Sequence, residues 1–182
     1  MKISNALSIF FICISPYLFA QGKYVTKTGE ITFEASVPSF EEVKAKNTNV
    51  SAILNTDTGE FAALALIKGF RFKVALMEEH FNENYIESSK YPKATFKGKI
   101  NDFDVSTLSE EKKEYKIVGT LNMHGEDKLL ETPVKISLID NSIVMNLDFI
   151  LKPEDFKIKI PGIVSSKIAE EVNVLASYTL KK

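Results

Sequence analysis

Two hydrophobic periods meet between Val74 and Ile100. Val74, Met77, Phe81 and Tyr85 are spaced three, four and four apart, which puts them on one face of a helix. Glu78, Glu79, Asn82 and Glu83 then turn mostly away. Tyr91-Pro92 predicts the end of that helix, because proline pushes the residue before it out of helical geometry. From Lys93 the period drops to two. Lys93, Thr95, Lys97 and Lys99 alternate with Ala94, Phe96, Gly98 and Ile100, the pattern of a strand with one wet and one dry face. An amphipathic helix therefore feeds directly into an amphipathic strand, and their dry faces need a common core.

The same alternation marks most of the chain. Lys23 to Ser36 reads as a strand or a short hairpin, with Thr28-Gly29 as its turn and Ile31, Phe33 and Ala35 on one face. Ser39 to Val43 predicts one helical turn, Ser39 being the N-cap and Glu42 the capping-box acid. Asn49 to Asn55 and Glu60 to Ile67 read as strands around a hairpin turn at Asp57-Thr58-Gly59. Asn101 to Lys113 is polar and loop-like. Glu114 to His124 alternates again, followed by a turn at Gly125-Glu126-Asp127, a strand over Lys128 to Ile139, a turn at Asp140-Asn141 and a strand over Ile143 to Leu151. Lys152-Pro153-Glu154-Asp155 breaks the pattern, and Ile163 to Glu170 fits a short second helix. Val172, Val174, Ala176, Tyr178 and Leu180 alternate to the end.

About eight strands joined mostly by short turns predict an antiparallel, mostly β domain. A sheet with a single dry side must meet a second sheet or close on itself. Composition does not separate a sandwich from a barrel. Strands of about ten residues, or ~33 Å, favour the barrel. The inward candidates are Phe33, Phe96, Ile100, Tyr115, Ile117, Leu121, Val134, Ile136, Met145, Leu147, Phe149, Val174 and Tyr178. An eight-stranded barrel is just wide enough to be packed solid or to hold one small ligand. Gly98, Gly119 and Ala176 are small residues on dry faces, leaving room for a ligand or for a close neighbour.

Composition narrows the function. At 182 residues the chain is sized for one domain. It opens with Lys2, an apolar run over Ile3 to Phe19, and Ala20 before Gln21. That order predicts a secretory signal peptide over residues 1–20 and a mature domain over residues 21–182. A membrane anchor is the alternative, but Ser4, Asn5, Ser8, Ser15 and Pro16 interrupt the run. The one cysteine, Cys13, lies inside that segment, so the mature domain would have neither disulfide nor thiol chemistry. The net charge of -1 gives no basic excess to bind nucleic acid. Arg71 alone among the 23 basic residues is arginine, so fork-like clamps on phosphate or carboxylate are nearly unavailable.

No catalytic or metal-binding constellation stands out. His80 sits among Glu78, Glu79 and Glu83, but no second histidine lies four residues away, and a solvated helix face is expected. His124 before Gly125 reads as a turn residue bonding its own hairpin. Nucleophile elbows, phosphate loops and dinucleotide fingerprints are absent. Neither cofactor nor metal is expected, and a panel of ester and glycoside substrates would test a hydrolase reading.

The acidic-His-aromatic segment followed by Tyr91-Pro92 and Phe96 at the strand entry resembles the central motif of the YceI-like family. Gly119 to Gly125, ending in His124-Gly125 before a hairpin, resembles that family's second motif. The resemblance implies a lipocalin-like antiparallel barrel around an elongated apolar cavity, in a periplasmic or secreted protein that binds isoprenoid lipids. The expected function is non-enzymatic. An apolar small molecule, an isoprenoid lipid or quinone, is sequestered or carried inside the barrel, with transient membrane contact and no nucleic acid. The alternative is a ligand-free interaction module of the cell envelope with a solidly packed barrel. Under the first reading the inward candidates become ligand contacts. Phe81 joins them, because its helix would cover part of the barrel mouth. Two departures bear on the ligand. The family's opening Trp and His-Ser pair are missing between Tyr24 and Phe33, and Lys152 stands where the family has an Arg before Asp155-Phe156. A polar head group would therefore be met differently.

Overall fold

The alternating segments pair in an antiparallel order that returns to its start. The computed structural model describes residues 22–182; the expected signal peptide lies outside them. Nine strands are present among these residues: β1 (Lys23–Ser36), β2 (Lys44–Asn55), β3 (Glu60–Leu66), β4 (Arg71–Phe72), β5 (Lys93–Ile100), β6 (Lys113–Met123), β7 (Glu126–Ile139), β8 (Ser142–Leu151) and β9 (Ile168–Leu180). The sheet runs β1-β9-β8-β7-β6-β5-β3-β2, and β1 also pairs with β2. That last pairing closes an eight-stranded barrel. β4 adds two residues to the start of β2, with Ala45 opposite Phe72 and Lys46 opposite Arg71. Closure leaves no long unpaired edge, which is how such sheets avoid edge-to-edge association.

Turn chemistry sets the register. His124 (φ 53°) and Gly125 (φ 80°) form the two-residue β6–β7 turn, and Asp140 (φ 47°) and Asn141 (φ 60°) the β7–β8 turn. Positive φ at both central residues matches the twist of the flanking strands. The β6–β7 turn thus comes one residue earlier than the expected Gly125-Glu126-Asp127. Glu126 already pairs with Met123. Between β1 and β2 the expected helical turn at Ser39 does not form. Phe40 N donates to the Val37 carbonyl, and Ser39 has φ 75°. Proline at the second position and a positive φ at the third make a reverse turn, whereas an N-cap needs an extended backbone.

Thr28-Gly29 is not a turn either. β1 runs through it as one strand with register shifts on both sides of Gly29. A Cβ on Gly29 would lie 2.5 Å from the Tyr178 ring, so glycine is needed for close packing against the neighbouring strand β9. The helical stripe folds as α1 (Ala75–His80), which widens into a π-helical turn over Phe81–Tyr85. Ile86 N donates to the Phe81 carbonyl, and Glu87 (φ 47°) ends the helix well before Pro92. A one-turn helix, α2 (Gly162–Ser165), stands where the second was expected, and β9 begins at Ile168 rather than Val172.

Candidate functional site

Along the barrel axis the interior changes from packed to hollow. At one end, Leu54, Ile100, Ile117, Ile136, Ile143, Met145 and Leu180 are fully buried against one another. These residues belong to the ends of β2, β5, β7 and β9 and the beginnings of β6 and β8. Next comes a layer of three aromatic rings. Phe61 lies 5.3 Å from Tyr178 and 6.2 Å from Phe96, centroid to centroid. The rings fill the space that small residues leave. Tyr178 covers Gly29, and the Phe96 ring tip lies where a Cβ on Gly98 or Gly119 would go. Gly98 and Gly119 are direct partners across β5 and β6. The room at these dry-face glycines is therefore taken by a neighbour. Burial pushes the Tyr178 phenol well above its ordinary range, so it stays neutral.

Beyond this floor the other end of the barrel is hollow. A cavity of ≈ 450 Å³ opens there. Its walls come from Ile31, Phe33 and Ala35 of β1, Ala65 of β3, Ala94 of β5, Leu121 and Met123 of β6, Phe149 and Leu151 of β8, and Ile168, Val172 and Val174 of β9. On each of these strands the lining stops at the floor.

Two segments roof the cavity, and the β1–β2 connection adds Phe40, Glu41 and Val43 at its side. The first is the excursion between β3 and β5, which contributes Ile67, Phe70, Phe72, Met77, Phe81, Tyr85 and Ile86. Phe81 is the hub of this roof, with ring centroids 5.4 Å from Phe33, 6.1 Å from Phe70 and 5.2 Å from Phe72. Glu78 holds the base of the helix, taking Arg71 Nη1 at 2.8 Å on one carboxylate oxygen and Phe72 N at 3.1 Å on the other. The second segment joins β8 to β9 and contributes Pro153, Ile158, Ile160 and Val164. The side chains carrying ionisable or hydroxyl groups among the lining residues are Glu41, His80, Lys167 and Tyr85. A molecule held here would have its apolar part toward the floor and its polar part among them.

His124 ties the roof together. Its Nδ1 donates to the Phe156 carbonyl at 2.8 Å, and its Nε2 lies 3.0 Å from Glu87 Oε2. The Tyr91 ring packs on the imidazole at 4.3 Å between centroids. Beside it, Lys157 Nζ meets Glu126 Oε1 at 2.8 Å, which pushes the Lys157 ammonium above its usual range. One side chain in the β6–β7 turn thus connects both roof segments. Its bonds go to other elements, whereas the sequence alone suggested its own hairpin.

The structure distributes the sequence-derived candidates between the two halves. Phe33, Phe81, Leu121, Phe149 and Val174 line the cavity. Phe96 and Tyr178 build the floor, with Leu147 at the same level. Ile100, Tyr115, Ile117, Val134, Ile136 and Met145 lie in the packed core. Ile158 and Ile160 were missed. The Lys157-Ile158-Lys159-Ile160 alternation was their signal, hidden behind the break at Pro153. His80 is exposed as expected, yet it stands at the cavity rim.

A closed antiparallel barrel, hollow and apolar at one end and roofed by a helix, defines a lipocalin-like protein with an internal apolar chamber. The chain belongs to the YceI-like family, whose domain matches residues 23–180. Among solved structures it is similar to a polyisoprenoid binding domain from Saccharophagus degradans implicated in plant cell wall breakdown. Identity is 15%, the TM-score is 0.75, and the match covers 88% of this chain and 98% of that one. Burkholderia cenocepacia BcnA matches at 15% identity and a TM-score of 0.70, over 85% of this chain and 96% of that one. The Campylobacter jejuni YceI protein matches at 20% identity and a TM-score of 0.59, over 80% and 90%. No curated protein sequence matches it. Among the described residues, no helix is long and apolar enough to cross a membrane.

Proposed function

We propose that this protein binds an elongated apolar molecule of the isoprenoid class in the hollow end of its barrel, and sequesters or carries it without a covalent step. The observation that carries this reading is the ≈ 450 Å³ apolar chamber above a packed floor. Ligand sites generally enclose about 300–1,000 Å³, lined by apolar side chains with a few polar groups. The polyisoprenoid binding domain with the same fold supports the choice of class. Binding would rest on burial, worth about 0.8 kcal/mol for each methylene removed from water. We further propose that the protein is exported, from the basic start, apolar run and Ala20-Gln21 junction.

The test is to purify the native protein from its host, extract it with organic solvent and analyse the extract by mass spectrometry. A stoichiometric prenyl lipid is expected. An empty protein that also takes up no prenyl alcohol on soaking would refute the reading and favour a ligand-free module. N-terminal sequencing of the same preparation should begin near Gln21, and a chain still starting at Met1 would contradict export.

A further inference from the structure

We propose that the aromatic floor, with Phe96 at its centre, is a ruler that limits the enclosed part of a bound chain to about two or three isoprene units. The inference rests on the binding function proposed above and adds a length to it. The lining of β1 runs from Ala35 down to Ile31, which pairs with Ala176 beside the floor of Phe61, Phe96 and Tyr178. Four residue steps of strand span ~13 Å. At the ~35–45° tilt of a closed barrel, that is about 10 Å along the axis. An extended chain advances about 1.2 Å per backbone bond, so a four-bond isoprene unit covers about 5 Å. Two units fill the depth, and a third reaches the roof.

Deeper passage is closed where aromatic rings lie against closely apposed strand backbones. The Phe96 ring tip occupies the space over Gly98 and Gly119, and Tyr178 occupies that over Gly29. Below them Ile100, Ile117 and Met145 are almost without solvent exposure, leaving no second chamber to enter. Immediately above the floor, Ala65 and Ala94 face each other across β3 and β5 and both line the chamber. These small residues leave the last stretch open to a ligand. A larger side chain at Ala94 would raise the floor, and a smaller one at Phe96 would lower it.

A series of prenyl alcohols of one, two, three, four, six and eight isoprene units, delivered from cyclodextrin, measures this by displacement of a fluorescent polyene probe. Affinity should rise roughly tenfold or more per unit up to two or three units, since each unit buries five carbons. It should then change less than about twofold up to eight units, because later units stay outside the chamber. Ala94→Phe should shorten the plateau by about one unit, and Phe96→Ala should lengthen it by about one. Urea titration establishes that each variant is folded, and Phe96→Leu serves if the alanine variant is not. Affinity that keeps rising to eight units, or a plateau that neither substitution moves, overturns the ruler and leaves the binding function standing. Failure of every alcohol to bind wild type removes the binding function itself, and the ruler with it.

Discussion

Phe81 sits half-buried among three other phenylalanine rings and against the chamber. Edge-to-face and tilted ring pairs at such distances add to plain area burial. Phe81→Ala should therefore destabilise by about 2–3 kcal/mol, below the ~3–5 kcal/mol of a fully buried ring because part of Phe81 already meets solvent. His80 is one residue earlier but exposed, and His80→Ala should stay within about half a kcal/mol of wild type. Urea titration of both variants decides between a roof helix and a surface ornament. Tyr178 makes a different prediction. Its phenol is held protonated in the fold above its ordinary range, whereas in the unfolded chain it ionises near pH 10. The unfolded state then binds fewer protons at high pH, so stability must fall as pH rises above about 10. Tyr178→Phe should flatten that fall, measured as urea midpoints between pH 8 and 11.

At the scale of elements, the informative join is the β6–β7 turn. A two-residue turn of this type needs positive φ twice, and glycine supplies only the second. Histidine at the first position is explained by its side chain, which reaches Phe156 in one roof segment and Glu87 in the other. Asparagine tolerates the same left-handed backbone but is too short for both bonds. His124→Asn should thus keep the hairpin while losing about 1–3 kcal/mol, the usual range when a buried partner is left without its bond. Chemical denaturation gives that loss. Unchanged stability would mean that the bridge contributes nothing beyond the turn.

At the scale of the whole molecule the barrel has two ends of unequal character. One is close-packed and almost free of solvent, while the other depends on a short helix, two roof segments and whatever occupies the chamber. Regions with few buried apolar contacts open first. Hydrogen exchange should show the slowest amides around Ile117, Ile136 and Met145, and much faster exchange across residues 75–92 and 152–167. Adding a prenyl alcohol of three units should slow exchange in those two segments and leave the packed end unchanged. Uniform protection along every strand, with no response to the alcohol, would contradict a two-ended barrel.

The alternation of Lys93 to Ile100, of Lys128 to Ile139 and of Val172 to Leu180 determined the strands, because a period of two has only one regular conformation that separates wet from dry. Asp140-Asn141 likewise carried its turn within two residues. The motifs around Tyr91-Pro92 and His124-Gly125 carried the family. What local pattern could not decide was anything requiring two distant segments at once. Gly29 looks like a turn residue until the Tyr178 ring is seen to occupy its missing Cβ. His124 looks like a hairpin residue until Phe156 and Glu87 arrive from residues far along the chain. Inward strand positions look alike in sequence whether they end in Leu121, facing the chamber, or in Ile117, facing solid core. Alternation says which face is dry. How far along the barrel that dry face is filled depends on ring volumes and glycine gaps summed across strands, and only the closed tertiary structure brings those together.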